Sequence, residues 1–269
     1  MLARRPPMRQ AMRSILAWTG LLLMIVAFVW MQRTSKPRPA RSATAQPSAG
    51  PGPFAVVILD PGHGGQDSGA MCGGMLEKDL TLDVAKRVDR LLQSEGIATV
   101  MTRVGDSYVS LADRATFANR VSDCIFVSIH FNEDNRPVSS GVETYYAAHQ
   151  ITPGSLGATW LPFLWHALSE SPNAESQSLA GFIQEALVAR TKAPDRGTKP
   201  DQFFVIANVM SPAVLIEGGF LTNEDDISKL ASDDYREQIA AAISEGILRY
   251  RDATKQRQST LAVTGRGER

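Results

Sequence analysis

The sequence predicts an α/β fold: a three-layer αβα domain in which helices cover both faces of a mostly parallel, mixed central sheet. Two observations favour this fold. Short apolar runs alternate with segments of helical periodicity, and polar residues follow the ends of several apolar runs. Hydrophobic residues make up 43% of the 269 residues and charged residues 21%, so the chain can bury a core.

The first half of the domain shows this alternation clearly. An apolar run at 54–59 predicts a strand, and it ends in a glycine-rich loop. Apolar residues at helical spacing predict a helix over 80–91, and a second strand follows at 97–102. A serine and an aspartate three residues apart form a capping box that begins a helix over 110–121.

The second half continues the pattern. The run 124–129 is apolar throughout, which is typical of a central strand, whereas 141–146 alternates as a strand with one wetter face does. A helix is predicted over 179–189, followed by strands at 203–207 and 213–216. Apolar residues along one face then predict a long final helix that includes 235–247.

The regions outside this domain have a different composition. Residues 15–31 carry no charge and have tryptophans near both ends, which is typical of a short membrane-spanning helix with an aromatic belt. A cleaved signal peptide is the alternative, although its best small-residue site, at 43–45, lies far behind the apolar run. The predicted organisation is a basic cytoplasmic segment at 1–14, a transmembrane anchor at 15–31, a flexible linker at 32–53, a globular domain at 54–250 and a disordered tail at 251–269.

The overall composition excludes several classes of protein. The 28 basic and 28 acidic residues give zero net charge, so nothing indicates nucleic-acid binding. Two cysteines, Cys72 and Cys124, cannot form a four-thiolate zinc site, and the sequence does not show whether they are bonded to each other. With only four histidines in the chain, a metal site has to include carboxylates.

Chemically useful side chains lie where the predicted strands end. His63 follows the first strand, His130 closes the third, Glu217 follows the strand at 213–216, and Glu77 precedes the first helix. In α/β sheets, sites form beyond the carboxyl ends of the strands. Two histidines and a glutamate suit a catalytic zinc ion that keeps a position for water, and a second glutamate can act as the base. From the residues alone, this interpretation and ordinary structural roles are about equally supported.

Several motifs, in a fixed order, then indicate a family. They are LDPGHGG at 59–65, EKDLTLDVAKRV at 77–88, TR at 102–103, SLADRATFAN at 110–119, SIHFN at 128–132, GVETYY at 141–146 and PAVLIEGGFLTNEDD at 212–226. Together they resemble the zinc-dependent N-acetylmuramoyl-L-alanine amidases of the amidase-3 type, which are bacterial cell-wall hydrolases. The resemblance covers about 56–250, nearly the whole globular part.

The resemblance implies specific roles. His63, Glu77 and His130 would be the zinc ligands and Glu217 the catalytic glutamate. The substrate would be peptidoglycan, cleaved at the amide between N-acetylmuramic acid and L-alanine of the stem peptide. A non-catalytic peptidoglycan-binding module and a zinc carboxypeptidase acting on the stem peptide are the alternatives.

Other residues are assigned weaker roles. Asp60 is a candidate acceptor for the second N–H of a ligand histidine, or else it caps the turn before Gly62. Arg196, in a stretch that matches the family, and Asn132 are candidate substrate-binding residues, with ordinary surface and strand-end roles as alternatives. Residues 152–173 resemble an insertion, either a lid or a docking site for a protein activator, or an apolar patch that completes the core.

The expected location and assembly follow from these interpretations. We expect a single-pass protein of the inner membrane, held by the N-terminal helix with its catalytic domain in the periplasm, or else a protein secreted to the periplasm after signal cleavage. We expect a monomer.

Overall fold

The computed structural model describes residues 53–149 and 173–264. The strands are β1 Val56–Pro61, β2 Met71–Cys72, β3 Met75–Leu76, β4 Ala98–Met101, β5 Cys124–Asn132, β6 Val142–Ala147, β7 Asp195–Asp201 and β8 Ala213–Phe220. The helices are α1 Glu77–Ser94, α2 Leu111–Ala118, α3 Ala174–Thr191, α4 Phe204–Ala207, α5 Glu224–Leu230 and α6 Asp233–Thr264.

Six of these strands form one mixed sheet in the order β4-β1-β5-β8-β6-β7. The first four are parallel to one another, whereas β6 is antiparallel to β8 and β7 is parallel to β6. β2 and β3 form a separate hairpin before α1. The predicted mostly parallel, mixed sheet is therefore confirmed.

Helices cover both faces of the sheet, as predicted. The larger core joins one face to α1, α3 and α6, whose buried side chains include Val84, Ile183 and Ile243. The smaller core lies on the other face, where Phe126 and Leu215 meet residues of α2 and α4. Successive side chains along a strand alternate between the two faces of the sheet. The side chains two and four residues after Phe126, and two residues after Leu215, are polar, and they therefore point to this second face.

One predicted strand is wrong. Residues 203–207 are not a strand: Phe204–Ala207 form the short helix α4, and the neighbouring strand β7 lies at Asp195–Asp201. Periodicity cannot separate a short apolar strand from a buried helical turn, and Val205 and Ile206 are buried in the smaller core. β7 was missed because, as an edge strand largely open to solvent, it is polar.

The predicted end of the domain is also wrong, since α6 continues to Thr264 and residues 251–264 are helical. Contacts with α3 support the extension: the Tyr250 hydroxyl donates to Glu175 at 2.8 Å, and Arg257 Nη2 donates to the same carboxylate at 3.1 Å. The predicted end of the domain was placed where apolar residues at helical spacing stop, but beyond that point polar contacts stabilise the helix. Residues 265–269 lie outside the described part of the chain.

The predicted membrane location is not supported. Within residues 53–149 and 173–264, no helix has the length and apolarity needed to cross a bilayer. The proposed anchor at 15–31 lies outside the described residues, as do the segment at 1–14 and nearly all of the linker. The assignment to the inner membrane as a single-pass protein is therefore corrected and is not carried further.

Cys72 and Cys124 are both free thiols, the first partly exposed and the second buried in β5. No disulfide joins the two residues, which answers the question that the sequence left open.

Candidate metal centre and active site

The first candidate ligand lies in a glycine-rich loop that begins where β1 ends. His63 adopts a left-handed backbone conformation, with φ 59°. A side chain at Gly62 would bring its Cβ to 2.2 Å from Cε1 of His130, so only glycine lets the loop pass this close to the second histidine. The Gly62–His63 sequence therefore brings two imidazoles together from β1 and β5.

Glu77 lies between these two histidines. It is the first residue of α1, where the helix dipole favours a carboxylate. The backbone N–H groups of Ala70 and Phe131 donate to its two oxygens at 2.9 and 3.1 Å and so fix the plane of the carboxylate. Its Oε2 lies 3.0 Å from His63 Nε2 and its Oε1 2.9 Å from His130 Nδ1.

The protonation of this trio shows how strongly the groups interact. Burial alone would raise the pKa of Glu77, but hydrogen bonds from His130 and His63 outweigh it and hold the pKa well below its usual range. Burial would lower the pKa of His63, but Glu77 and Asp67 raise it overall. The site thus stabilises positive charge beside one carboxylate.

These donors fit a divalent transition metal. One ligand atom from each of His63, Glu77 and His130 can be chosen so that all three lie within 4.8 Å of one another. Two imidazole nitrogens and one carboxylate oxygen form a donor set that zinc prefers, and three protein ligands leave a position open for water or substrate.

Glu217 stands beside the trio on β8. Its Cα pairs in register with that of His130 on β5. Its Oε2 atom is buried and has no hydrogen-bond partner among the described residues. Burial, reinforced by repulsion from Glu77 and Glu143, raises the pKa of Glu217 well above its usual range. A carboxylate left without a partner in this way is suited to receive a proton, and a cation on the three ligands would counter the repulsion.

Asp60 has a different role from the predicted one. It accepts hydrogen bonds from Arg114 Nη1 at 2.6 Å, from the Thr102 hydroxyl at 2.6 Å and from the Ser128 hydroxyl at 2.8 Å. The carboxylate beside His63 is instead Asp67, whose Oδ2 lies 2.9 Å from His63 Nδ1. Asp60 is fully buried beneath the loop and points to Arg114 rather than to an imidazole.

Two buried arginines hold the His63 loop through its carbonyl oxygens. Arg114 donates to the carbonyls of Pro61 at 2.7 Å and His63 at 2.6 Å. Arg103 donates to those of Pro61 at 3.0 Å and Gly62 at 2.7 Å. Both residues lie in the family motifs, but the sequence alone assigns them no role, because a lone arginine in a sequence does not reveal which carbonyls it will contact.

With this geometry in view, the comparisons with known proteins identify the family. Residues 57–249 match the amidase-3 family, described as N-acetylmuramoyl-L-alanine amidase. The chain belongs to this family. The resemblance inferred from the motifs is therefore confirmed, and the fold agrees with it.

Individual amidases show how far the similarity extends. Over 196 residues the chain is 37% identical to the N-acetylmuramoyl-L-alanine amidase LytC of Bacillus subtilis, a match that covers 72% of this chain and 35% of that protein. The chain thus aligns with only about a third of that relative's length.

Solved structures of amidases are similar to this chain as well. An N-acetylmuramoyl-L-alanine amidase from Clostridium difficile 630 is similar with a TM-score of 0.64 and 34% identity, over 74% of this chain and 97% of that one. The CwlD amidase of Clostridioides difficile, in complex with the GerS lipoprotein, is similar with a TM-score of 0.62 and 29% identity, over 73% of this chain and 98% of that one.

The two predicted substrate-binding residues of this family member contact the same carboxylate, that of Glu143 on β6. Asn132 Nδ2 and the Tyr145 hydroxyl each donate to Glu143 Oε1 at 2.8 Å. Arg196 Nε donates to Oε2 at 2.8 Å, and Lys199 Nζ donates to the same oxygen. The sequence alone assigns Glu143 no role, although a carboxylate within the GVETYY motif was an available signal.

The candidate insertion at 152–173 lies outside the described residues except for Asn173. Asn173 caps α3, since its side chain accepts from the backbone N–H groups of Glu175 and Ser176. The predicted role of residues 152–173 as a lid or docking element therefore stays a prediction.

Proposed function

We propose that this chain hydrolyses the amide bond between N-acetylmuramic acid and L-alanine of the peptidoglycan stem peptide, using zinc held by His63, Glu77 and His130. The observation that carries the proposal is the placement of Glu217. A buried, unpartnered carboxylate oxygen stands beside a His–Glu–His donor set in a member of an amidase family.

The chemistry follows from that placement. Zinc held by His63, Glu77 and His130 would supply a Lewis acid and would lower the pKa of the attacking water toward neutrality. Glu217 takes the proton of the attacking water at its carboxylate and passes it to the leaving L-alanine nitrogen. Burial and the neighbouring carboxylates raise the pKa of Glu217, which favours a proton on this carboxylate in the interval between accepting it and donating it.

The rest of the site holds these groups in place. Backbone N–H groups of Ala70 and Phe131 orient Glu77, while Arg103 and Arg114 hold the loop that carries His63. Asp67 Oδ2 lies 2.9 Å from His63 Nδ1, off the line of a hydrogen bond, and its negative charge would favour a proton on Nδ1 and leave Nε2 free to bind metal.

One experiment separates this activity from the two alternatives. Full-length protein is assayed for zinc stoichiometry and incubated with purified sacculi, and the released products are identified. Release of intact stem peptides with a free L-alanine amine supports the amidase. Release of D-alanine would instead identify a carboxypeptidase, and binding without any product would identify a non-catalytic module.

A protein partner is a further proposal. A similar amidase, CwlD, is found in complex with a lipoprotein, which supports a protein partner for this chain, and residues 152–173 are our candidate segment for docking an activator. Deleting 152–172 should raise basal activity if this segment restrains the site. Unchanged activity of the folded deletion variant would reject that role.

A further inference from the structure

A row of charged side chains runs from the candidate metal centre to the edge of the sheet. Register places His130 beside Glu217, and Glu217 beside Glu143. Beyond Glu143, the edge strand β7 supplies Arg196 and Lys199, which both donate to Glu143 Oε2. Adjacent strands are about 4.8 Å apart, so these cationic groups lie roughly 5 to 10 Å from the Glu217 carboxylate.

Glu143 itself cannot serve as a base or a ligand. Its side chain is only 2% exposed, and both of its oxygens accept two hydrogen bonds each. A carboxylate that is saturated in this way has no lone pair left for a proton or a metal. Its remaining function is to hold Arg196 and Lys199, and it is therefore a positioning residue.

The two cations that Glu143 holds are accessible to solvent, and their combined charge exceeds that of Glu143. Arg196 and Lys199 are 31% and 38% exposed, and together with Glu143 they leave one positive charge in excess. Arg196 uses Nε for Glu143, and its guanidinium carbon lies 4.8 Å from the centroid of the Phe220 ring, which fixes the guanidinium plane. No hydrogen bond among the described residues uses its two Nη groups, and a carboxylate can accept from such a pair.

We propose that Arg196 and Lys199, held by Glu143, form a subsite for a substrate carboxylate on the residue that follows the L-alanine of the stem peptide. The inference rests on the proposed function, because that function places the scissile amide between the metal centre and Glu217. Two residues of extended peptide span about 7 Å, which matches the separation between Glu217 and the cations. The subsite makes the enzyme selective for acidic stem peptides.

The test uses two muramyl peptides that differ only in the carboxyl group of the second residue, free in one and amidated in the other. The full-length enzyme should prefer the free acid by about tenfold in kcat/KM, through KM, because a charge-assisted pair of hydrogen bonds is lost with the amide. Arg196→Met and Lys199→Met should each raise KM for the acid substrate and reduce the preference. Lys199→Arg should retain it, as should the control Lys86→Met on the exposed side of α1.

A second readout does not depend on turnover. Calorimetry compares the binding of the product dipeptide with a free and with an amidated carboxyl group to the same variants. A merely structural role for the cluster would lower thermal stability, or kcat on both substrates alike, without changing the preference.

Equal hydrolysis of both substrates by the unmodified enzyme would overturn the subsite and leave the amidase intact. If neither substrate is hydrolysed, the proposed function fails, and calorimetry alone decides on the subsite. Equal binding of the two dipeptides would then overturn it.

Discussion

Replacing Arg114 with methionine should destabilise the fold and loosen the metal centre together. Arg114 is 3% exposed and donates to Asp60 at 2.6 Å and to the carbonyls of Pro61, His63 and Val109 at 2.7, 2.6 and 3.0 Å. Arg114→Met leaves the Asp60 carboxylate buried with only two hydroxyl donors. Removing one partner of a buried ion pair typically costs about 3 to 5 kcal/mol.

The assay is chemical unfolding in the presence of a chelator, so that bound metal adds nothing to the measured stability. A double-mutant cycle with Asp60→Asn isolates the pair and should give a coupling energy within about 0.5 to 3 kcal/mol. Zinc affinity, measured separately, should fall by about 10- to 100-fold, because the carbonyl of His63 loses its donor.

Arg249→Met is the matched control, since Arg249 on α6 makes an exposed ion pair with Glu185 on α3. It should cost less than about 1 kcal/mol. If Arg114→Met costs no more than this control and binds zinc normally, the reasoning that Arg114 holds the His63 loop is refuted.

Three further predictions follow from the same geometry. Glu217→Gln should retain zinc and lose about 10²- to 10⁴-fold in kcat, and full activity would show that another group is the base. Gly62→Ala should weaken zinc binding, because its Cβ would meet the His130 ring, whereas Gly105→Ala, which meets nothing within 4 Å, should not; equal affinities would contradict the packing argument. Burial would raise the pKa of Asp83, but hydrogen bonds from Arg87 and Arg236 lower it below 3.8. This link between α1 and α6 should therefore stabilise the fold above about pH 4 and weaken as the pH falls, and Asp83→Asn should flatten that dependence in unfolding measured from pH 5 to pH 2.

The role of charge in the fold could not be inferred from the composition. Zero net charge gave no reason to expect a nucleic-acid partner, but it did not reveal that Asp60, Glu143, Arg103 and Arg114 are buried. Hydrophobicity predicts which apolar residues enter a core. A buried ion requires a partner that the chain can bring from far away in sequence, and only the fold determines that pairing.

The sequence by itself determined the α/β alternation, the family and the identity of the candidate ligands. Apolar periodicity is local, so 54–59 and 124–129 already indicate β1 and β5, and the histidines at their ends need no tertiary information to be noticed. The tertiary structure alone decided that Asp60 pairs with Arg114, that the polar segment Asp195–Asp201 is the edge strand, and that Glu143 joins Asn132 to Arg196. These contacts link residues far apart in the chain through strand register, and register depends on the packing of the whole sheet.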